Sequence, residues 1–163
     1  MTDFHQLYIR YADDIYRFAL FLCGDPSEAE DITAETFTRA LTGKAPVISA
    51  TAKGYLLTIA RNLHLQAVRG RKRLTELSPD LPDSGSEPGQ VIGHQAELEA
   101  LQAYLRTFPE VDRTALLLRA DGVAYDAIAT ALNISLASAK VKVHRLRLKL
   151  AEWRVQRERI VDG

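Results

Sequence analysis

Wherever apolar residues recur along this chain they step by three and four, and that spacing commits the chain to helices. Phe4, Leu7, Tyr8, Tyr11, Ile15, Phe18, Ala19 and Leu22 form one stripe that stops at Gly24. Asp25-Pro26-Ser27-Glu28 follows, with an acid at the N-cap, a proline at the first helical position and an acid where a capping box needs one. Ala29, Ile32, Phe37, Ala40 and Leu41 then mark the inner side of a second helix that closes before Gly43. Past a loop with Pro46, Tyr55, Leu56, Ile59, Ala60, Leu63 and Ala67 predict a third helix that runs into Arg69, Arg71, Lys72 and Arg73. Its body is apolar and its tail is cationic.

The second half repeats the pattern. Leu98, Leu101, Leu105 and Phe108 predict a helix ended by Pro109, which opens the next one, ALLLRA, stopping near Gly122. Tyr125, Ile128, Ala129 and Leu132 face inward on a short helix that ends at Asn133, a residue that tolerates the left-handed conformation of a sharp turn. The next stretch, NISLASAKVKVHRLRLKL, holds five Lys/Arg, one His and no acid. Its apolar and basic residues alternate locally as a strand would. Leu136, Ala139, Val143, Leu146, Leu150 and Trp153 nevertheless step by three and four over a longer span, so the stretch is helical, with Ser135 as its N-cap. Lys140, Lys142, His144, Arg145, Arg147 and Lys149 then cover the other side, with Val141 and Leu148 stranded among them. A short helix, a tight turn and a cationic helix make a helix-turn-helix, whose second helix enters the major groove of DNA.

Between the halves, LSPDLPDSGSEPGQVIG is rich in Pro, Gly, Ser and acids and has no apolar period, as expected of a flexible linker. The expected architecture is all-α, with two small helical domains over 1–75 and 94–163 joined by an acidic linker over 76–93, the C-terminal domain being the helix-turn-helix. Net charge matters here because its zero total hides a partition: residues 67–75 hold 4 basic and 0 acidic side chains, residues 76–112 hold 1 and 8, and residues 113–163 hold 10 and 5. Two basic blocks around an acidic middle suggest two surfaces for a polyanion. One cysteine, Cys23, leaves no internal disulfide or multi-Cys metal site and reads as a structural thiol. No apolar run nears the roughly 20 residues of a membrane span, and the N-terminus lacks the order of a signal peptide, so a cytoplasmic protein without membrane insertion is expected. His5, His64, His94 and His144 are scattered and no catalytic triad, metal motif or phosphate-cradling loop occurs, which predicts a protein that is not an enzyme and needs no cofactor or metal.

The run LRTFPEVDRTALLLRADGVAYDAIATALNISLASAKVKVHRLRLKL resembles region 4 of the extracytoplasmic-function sigma factors. LYIRYADDIYRFALFLCGDPSEAEDITAETFTRAL with YLLTIARNLHLQAVRGRKR resembles their region 2, in the expected order. The resemblance implies a promoter-specificity subunit of bacterial RNA polymerase, directing the core enzyme to −35 and −10 elements, assisting melting and controlled by an anti-sigma factor. It implies that Asp31, Glu35 and Arg39 dock on the clamp helices of the largest polymerase subunit, and their spacing of four puts all three on one helix face. Tyr55, Arg61 and Asn62 fall on the helix facing the melted −10 element, where the loop ahead captures a flipped base. Tyr55 is also in apolar register with Leu56 and Ile59, so stacking and core roles both remain open. Arg69, Arg71, Lys72 and Arg73 would hold −10 phosphates. Ser138, Lys140, Val141, Lys142, His144 and Arg145 fall on the −35 recognition helix. Ala34, Leu41, Gln66, Ala137 and Val141 depart from the family's usual residues. The alternative is a sigma-like decoy that binds an anti-sigma protein without DNA, which has no use for cations matched to phosphate.

Overall fold

A computed structural model describes residues 4–43, 51–77 and 94–162. Seven helices form among them: α1 (Phe4–Cys23), α2 (Pro26–Thr42), α3 (Ala52–Leu77), α4 (His94–Leu105), α5 (Glu110–Ala120), α6 (Tyr125–Leu132) and α7 (Leu136–Asp162). The expected linker over 78–93 and the loop ahead of α3 lie outside the described residues, and α3 runs through Glu76 and Leu77, two residues into the stretch read as linker.

Local chemistry sets the helix ends. The Asp25 carboxylate accepts from the Ser27 amide and Pro26 opens α2, while Gly43 closes it at φ 66°. Glu28 does not complete a capping box; its carboxylate reaches across to Arg71 on α3 at 2.9 Å. Asn133 takes the left-handed conformation at φ 55°, and the Ser135 hydroxyl accepts from the Ser138 amide at the start of α7. Pro109 is the N-cap of α5 rather than its first residue.

In the first module α1, α2 and α3 pack on one another around Ile15, Phe18, Leu22, Phe37, Leu56 and Leu57. Phe37 meets the rings of Phe4 and Tyr8 edge-on, at 6.2 and 5.0 Å between centroids. The buried hydroxyls of Thr33, Thr36 and Thr58 each bond the carbonyl four residues back, so they cost no unpaired group. In the second module α5, α6 and α7 surround Leu118, Ile128, Val143 and Leu146, and α4 is tied to α7 by Tyr104 stacked on Trp153 at 5.3 Å. Leu41 and Leu136 were expected inside, yet each sits at a helix end beyond the reach of its core and is exposed, at 62% and 46%.

The two modules meet. One continuous cluster of buried apolar side chains spans both, with α5 packed on α1 and α3. Gly24, at φ 74°, turns the chain between α1 and α2 so closely against Arg106 that a Cβ there would collide with the guanidinium.

Candidate nucleic-acid and polymerase interfaces

The outer face of α2 carries Asp31 and Glu35, both exposed, with Arg39 paired to Glu35 at 3.2 Å and reaching Gln66 at 3.5 Å. The helix turns its apolar side, Ile32 and Phe37, to the core, which leaves this acidic row to solvent. Beside it lies an open groove of about 580 Å³, floored by Ile32, Leu63 and Leu74 and rimmed by Asp25, Glu28, Asp31 and Glu35. The three residues expected to dock on polymerase therefore share one accessible surface.

On α3 the candidates separate. Asn62 is exposed and Tyr55 half-buried, while Arg69, Lys72 and Arg73 extend into solvent on the last turns and Arg71 pairs with Glu28. Arg61 does not face solvent. Its side chain is 11% exposed, and it donates to both carboxylate oxygens of Glu110 on α5, at 2.9 and 3.1 Å, and to the Ala131 carbonyl at 3.4 Å. Thr114 donates to the same carboxylate at 2.7 Å. Burial by itself raises the Glu110 carboxyl, but the bonds from Arg61 and Thr114 and the charges of Arg61 and Arg113 outweigh it and hold the group below its ordinary value. Lys53 adds a second tie, lying between Asp14 on α1 at 3.6 Å and Asp121 at the end of α5 at 3.5 Å. Asp121 is raised nonetheless, burial outweighing the lysine. His64 is 4% exposed, and burial pushes it below its ordinary value.

On the helix-turn-helix, Ala139, Val143 and Leu146 are buried while Lys140, Val141, His144, Arg145, Arg147 and Leu148 are exposed and Ser138 is half-buried. Lys142 is held by Asp112 of α5 at 2.9 Å. Sequence reasoning missed Glu110, Asp112 and Lys53 as partners in these contacts, and the burial of His64. Acids in the first turn of α5 read locally as complements to the helix dipole, with nothing to show which cations they would meet. Among the described residues no cluster of His, Cys, Asp or Glu could hold a metal, and no helix is long and apolar enough to cross a membrane.

Three helices backing an acidic face, joined to a helix-turn-helix with a cationic outer helix, define a protein of the sigma-70 type. The Sigma-70 region 2 family matches residues 7–74 and the Sigma-70 region 4 family residues 98–150. The chain belongs to the extracytoplasmic-function RNA polymerase sigma factors. It is 33% identical to the ECF RNA polymerase sigma factor SigM of Bacillus subtilis over 148 residues, which cover 89% of this chain and 91% of that protein. It is 34% identical to SigE of Mycolicibacterium smegmatis over 160 residues, covering 94% of this chain but 62% of that longer protein. Its fold is similar to that of the sigma factor RpoE solved with the anti-sigma factor NepR from Bartonella quintana, with a TM-score of 0.77 at 23% identity over 93% of this chain and 96% of that one.

Proposed function

We propose that this chain directs core RNA polymerase to promoters, docking through α2 and contacting DNA through α3 and α7. The observation that carries the reading is α7, where a buried apolar stripe of Ala139, Val143 and Leu146 leaves Lys140, Val141, His144 and Arg145 open on the side a major groove would meet. Arg and Lys donate to guanine edges, and Val141 suits a thymine methyl. On α3, Asn62 and the tail Arg69, Arg71, Lys72 and Arg73 suit a −10 strand, with Tyr55 as its stacking partner. Asp31, Glu35 and Arg39 suit a helical partner with a basic surface, the clamp helices of the largest subunit.

The domain roles follow: residues 1–75 bind core and the −10 element, 94–163 the −35 element, and the acidic 76–93 stretch joins them. In the closed arrangement Glu110 occupies the Arg61 guanidinium as a phosphate would. Engagement of Arg61 with DNA therefore requires the modules to part, which binding to the polymerase would drive. An anti-sigma partner would hold the chain away from core, as the complex of RpoE with NepR illustrates for that protein.

Run-off transcription from a promoter library by core polymerase plus the purified chain tests the reading. Specific transcripts are expected, and Asp31→Lys with Glu35→Lys should abolish them and core binding while leaving thermal stability within about 0.5 kcal/mol, as for other surface changes. A chain that binds core but starts no transcript would favour a decoy.

A further inference from the structure

On the helix-turn-helix two cations converge on one aromatic ring. The Arg119 guanidinium lies 4.5 Å from the centroid of the Tyr125 ring and the Lys140 ammonium 5.9 Å from it. Arg119 also donates to the Val123 carbonyl at 3.2 Å, which pins the guanidinium at the joint between α5 and α6. Lys140 stands one turn into α7, so the three residues tie together α5, α6 and α7. Among the described residues neither cation has an ion-pair partner, whereas their neighbour Lys142 is held by Asp112. Asp126, next to Tyr125, accepts from the Ala127 amide instead, and Asp121, two residues from Arg119, meets Lys53.

Two positive groups gathered on one ring repel each other, and a cation–π contact at an exposed site returns only about 0.5–1 kcal/mol. The arrangement is completed by an anion. Beside a helix seated in a major groove, the anion at hand is a backbone phosphate, which fixes orientation without carrying sequence.

We infer that Arg119 and Lys140 form a clamp for one DNA backbone phosphate at the edge of the −35 element, and that Tyr125 positions both cations for it. This rests on the reading of α7 as the −35 recognition helix. It gives Lys140 a different task from its neighbours: it sets the register of the helix on the duplex, and base reading falls to Ser138, Val141, His144 and Arg145. Arg119, which the recognition-helix pattern does not include, becomes a DNA contact.

The test uses holoenzyme reconstituted from core polymerase and the full chain, on a promoter selected from a random library, with and without its −35 duplex. The salt dependence of affinity is measured on both DNAs, and the difference in log–log slope isolates what region 4 contributes. Arg119→Gln combined with Lys140→Gln should make that difference shallower by about 0.9, the value for one neutralised phosphate, and each single change should give part of that. Neither should change the ranking of −35 sequences, and Arg119→Lys should restore the slope. An unchanged slope in Arg119→Gln, or a Lys140→Gln effect confined to particular base pairs, would overturn the clamp. Wild-type holoenzyme indifferent to the −35 duplex would instead overturn the reading of α7 beneath it.

Discussion

Replacing Glu110 with alanine removes in one step the acceptor for two charged hydrogen bonds from Arg61 and one from Thr114. The guanidinium left behind is 11% exposed and keeps only the Ala131 carbonyl, at 3.4 Å. Taking one partner from a buried pair costs about 3–5 kcal/mol, because the survivor stays desolvated and unpaired. The Glu110 side chain is 22% exposed, which reduces the loss. The expected destabilisation is about 2–3 kcal/mol, in the range of a hydrogen bond to a charged group. For a chain of this length that lowers the melting temperature by about 4–12 °C. Urea unfolding of the wild type, Glu110→Ala, Arg61→Met and the double variant forms a cycle, in which the coupling should exceed about 1.5 kcal/mol. Acid supplies a second readout. Because the Glu110 carboxyl is lowered when folded, the unfolded chain takes up its proton first, so the contribution is complete above the ordinary value of 4.5 and is lost as pH falls from there through the folded value. Glu110→Gln should flatten that limb of the stability curve. A coupling below about 0.5 kcal/mol, the scale of an exposed surface pair, would refute the closed packing of α5 on α3.

Gly24→Ala should lower stability by about 1–2 kcal/mol, since φ 74° is strained for an L-residue. Adding Arg106→Ala should recover the part due to the collision; no recovery would show that the turn does not approach region 4, and a melting curve unmoved by Gly24→Ala would contradict the left-handed turn. His64 is lowered by burial, so the unfolded chain binds its proton more readily; stability should be full above pH 6.5 and decline as pH falls below it. The urea midpoint at pH 7.5 and 5.5 should therefore differ less in His64→Gln than in the wild type, and an equal difference would place the ring in water. Phe37→Ala should cost about 3–5 kcal/mol by opening a cavity in the three-helix core, measured by chemical unfolding, and a loss under about 1 kcal/mol would contradict its burial.

The helices and their inward faces were legible because periodicity is a local signal. On α7 the competition between periods was decided correctly by span: Val141 and Leu148, whose alternation imitates a strand, are 45% and 53% exposed, while Ala139 and Val143 are fully buried. Caps at Asp25, Asn133 and Ser135 were legible for the same reason, since each acts within a few residues of itself. Contacts between distant segments leave no such trace. Arg61 fits equally well as a DNA contact and as half of an ion pair, and its partner lies 49 residues away. The burial of His64 left no local trace, because the periodicity marked one apolar side on α3, whereas this helix is covered on two, by its own module and by α5.

That double coverage gives the first turn of α5 its importance. Glu110 and Asp112 stand two positions apart, a spacing that aims side chains to opposite sides of a helix. Glu110 reaches Arg61 in the other module, and Asp112 reaches Lys142 on α7 at 2.9 Å. Under the proposed function the two bonds differ in what must happen to them when DNA arrives. Lys142 and Asp112 belong to one rigid unit, sharing the core of Leu118, Val143 and Leu146, so their pair survives any motion of that unit. The Arg61 pair spans the seam and breaks when the seam opens. Under the proposed function, an acidic turn of region 4 keeps α7 in place and withholds a region 2 cation from DNA until the modules part, and separation frees Arg61 without loosening α7.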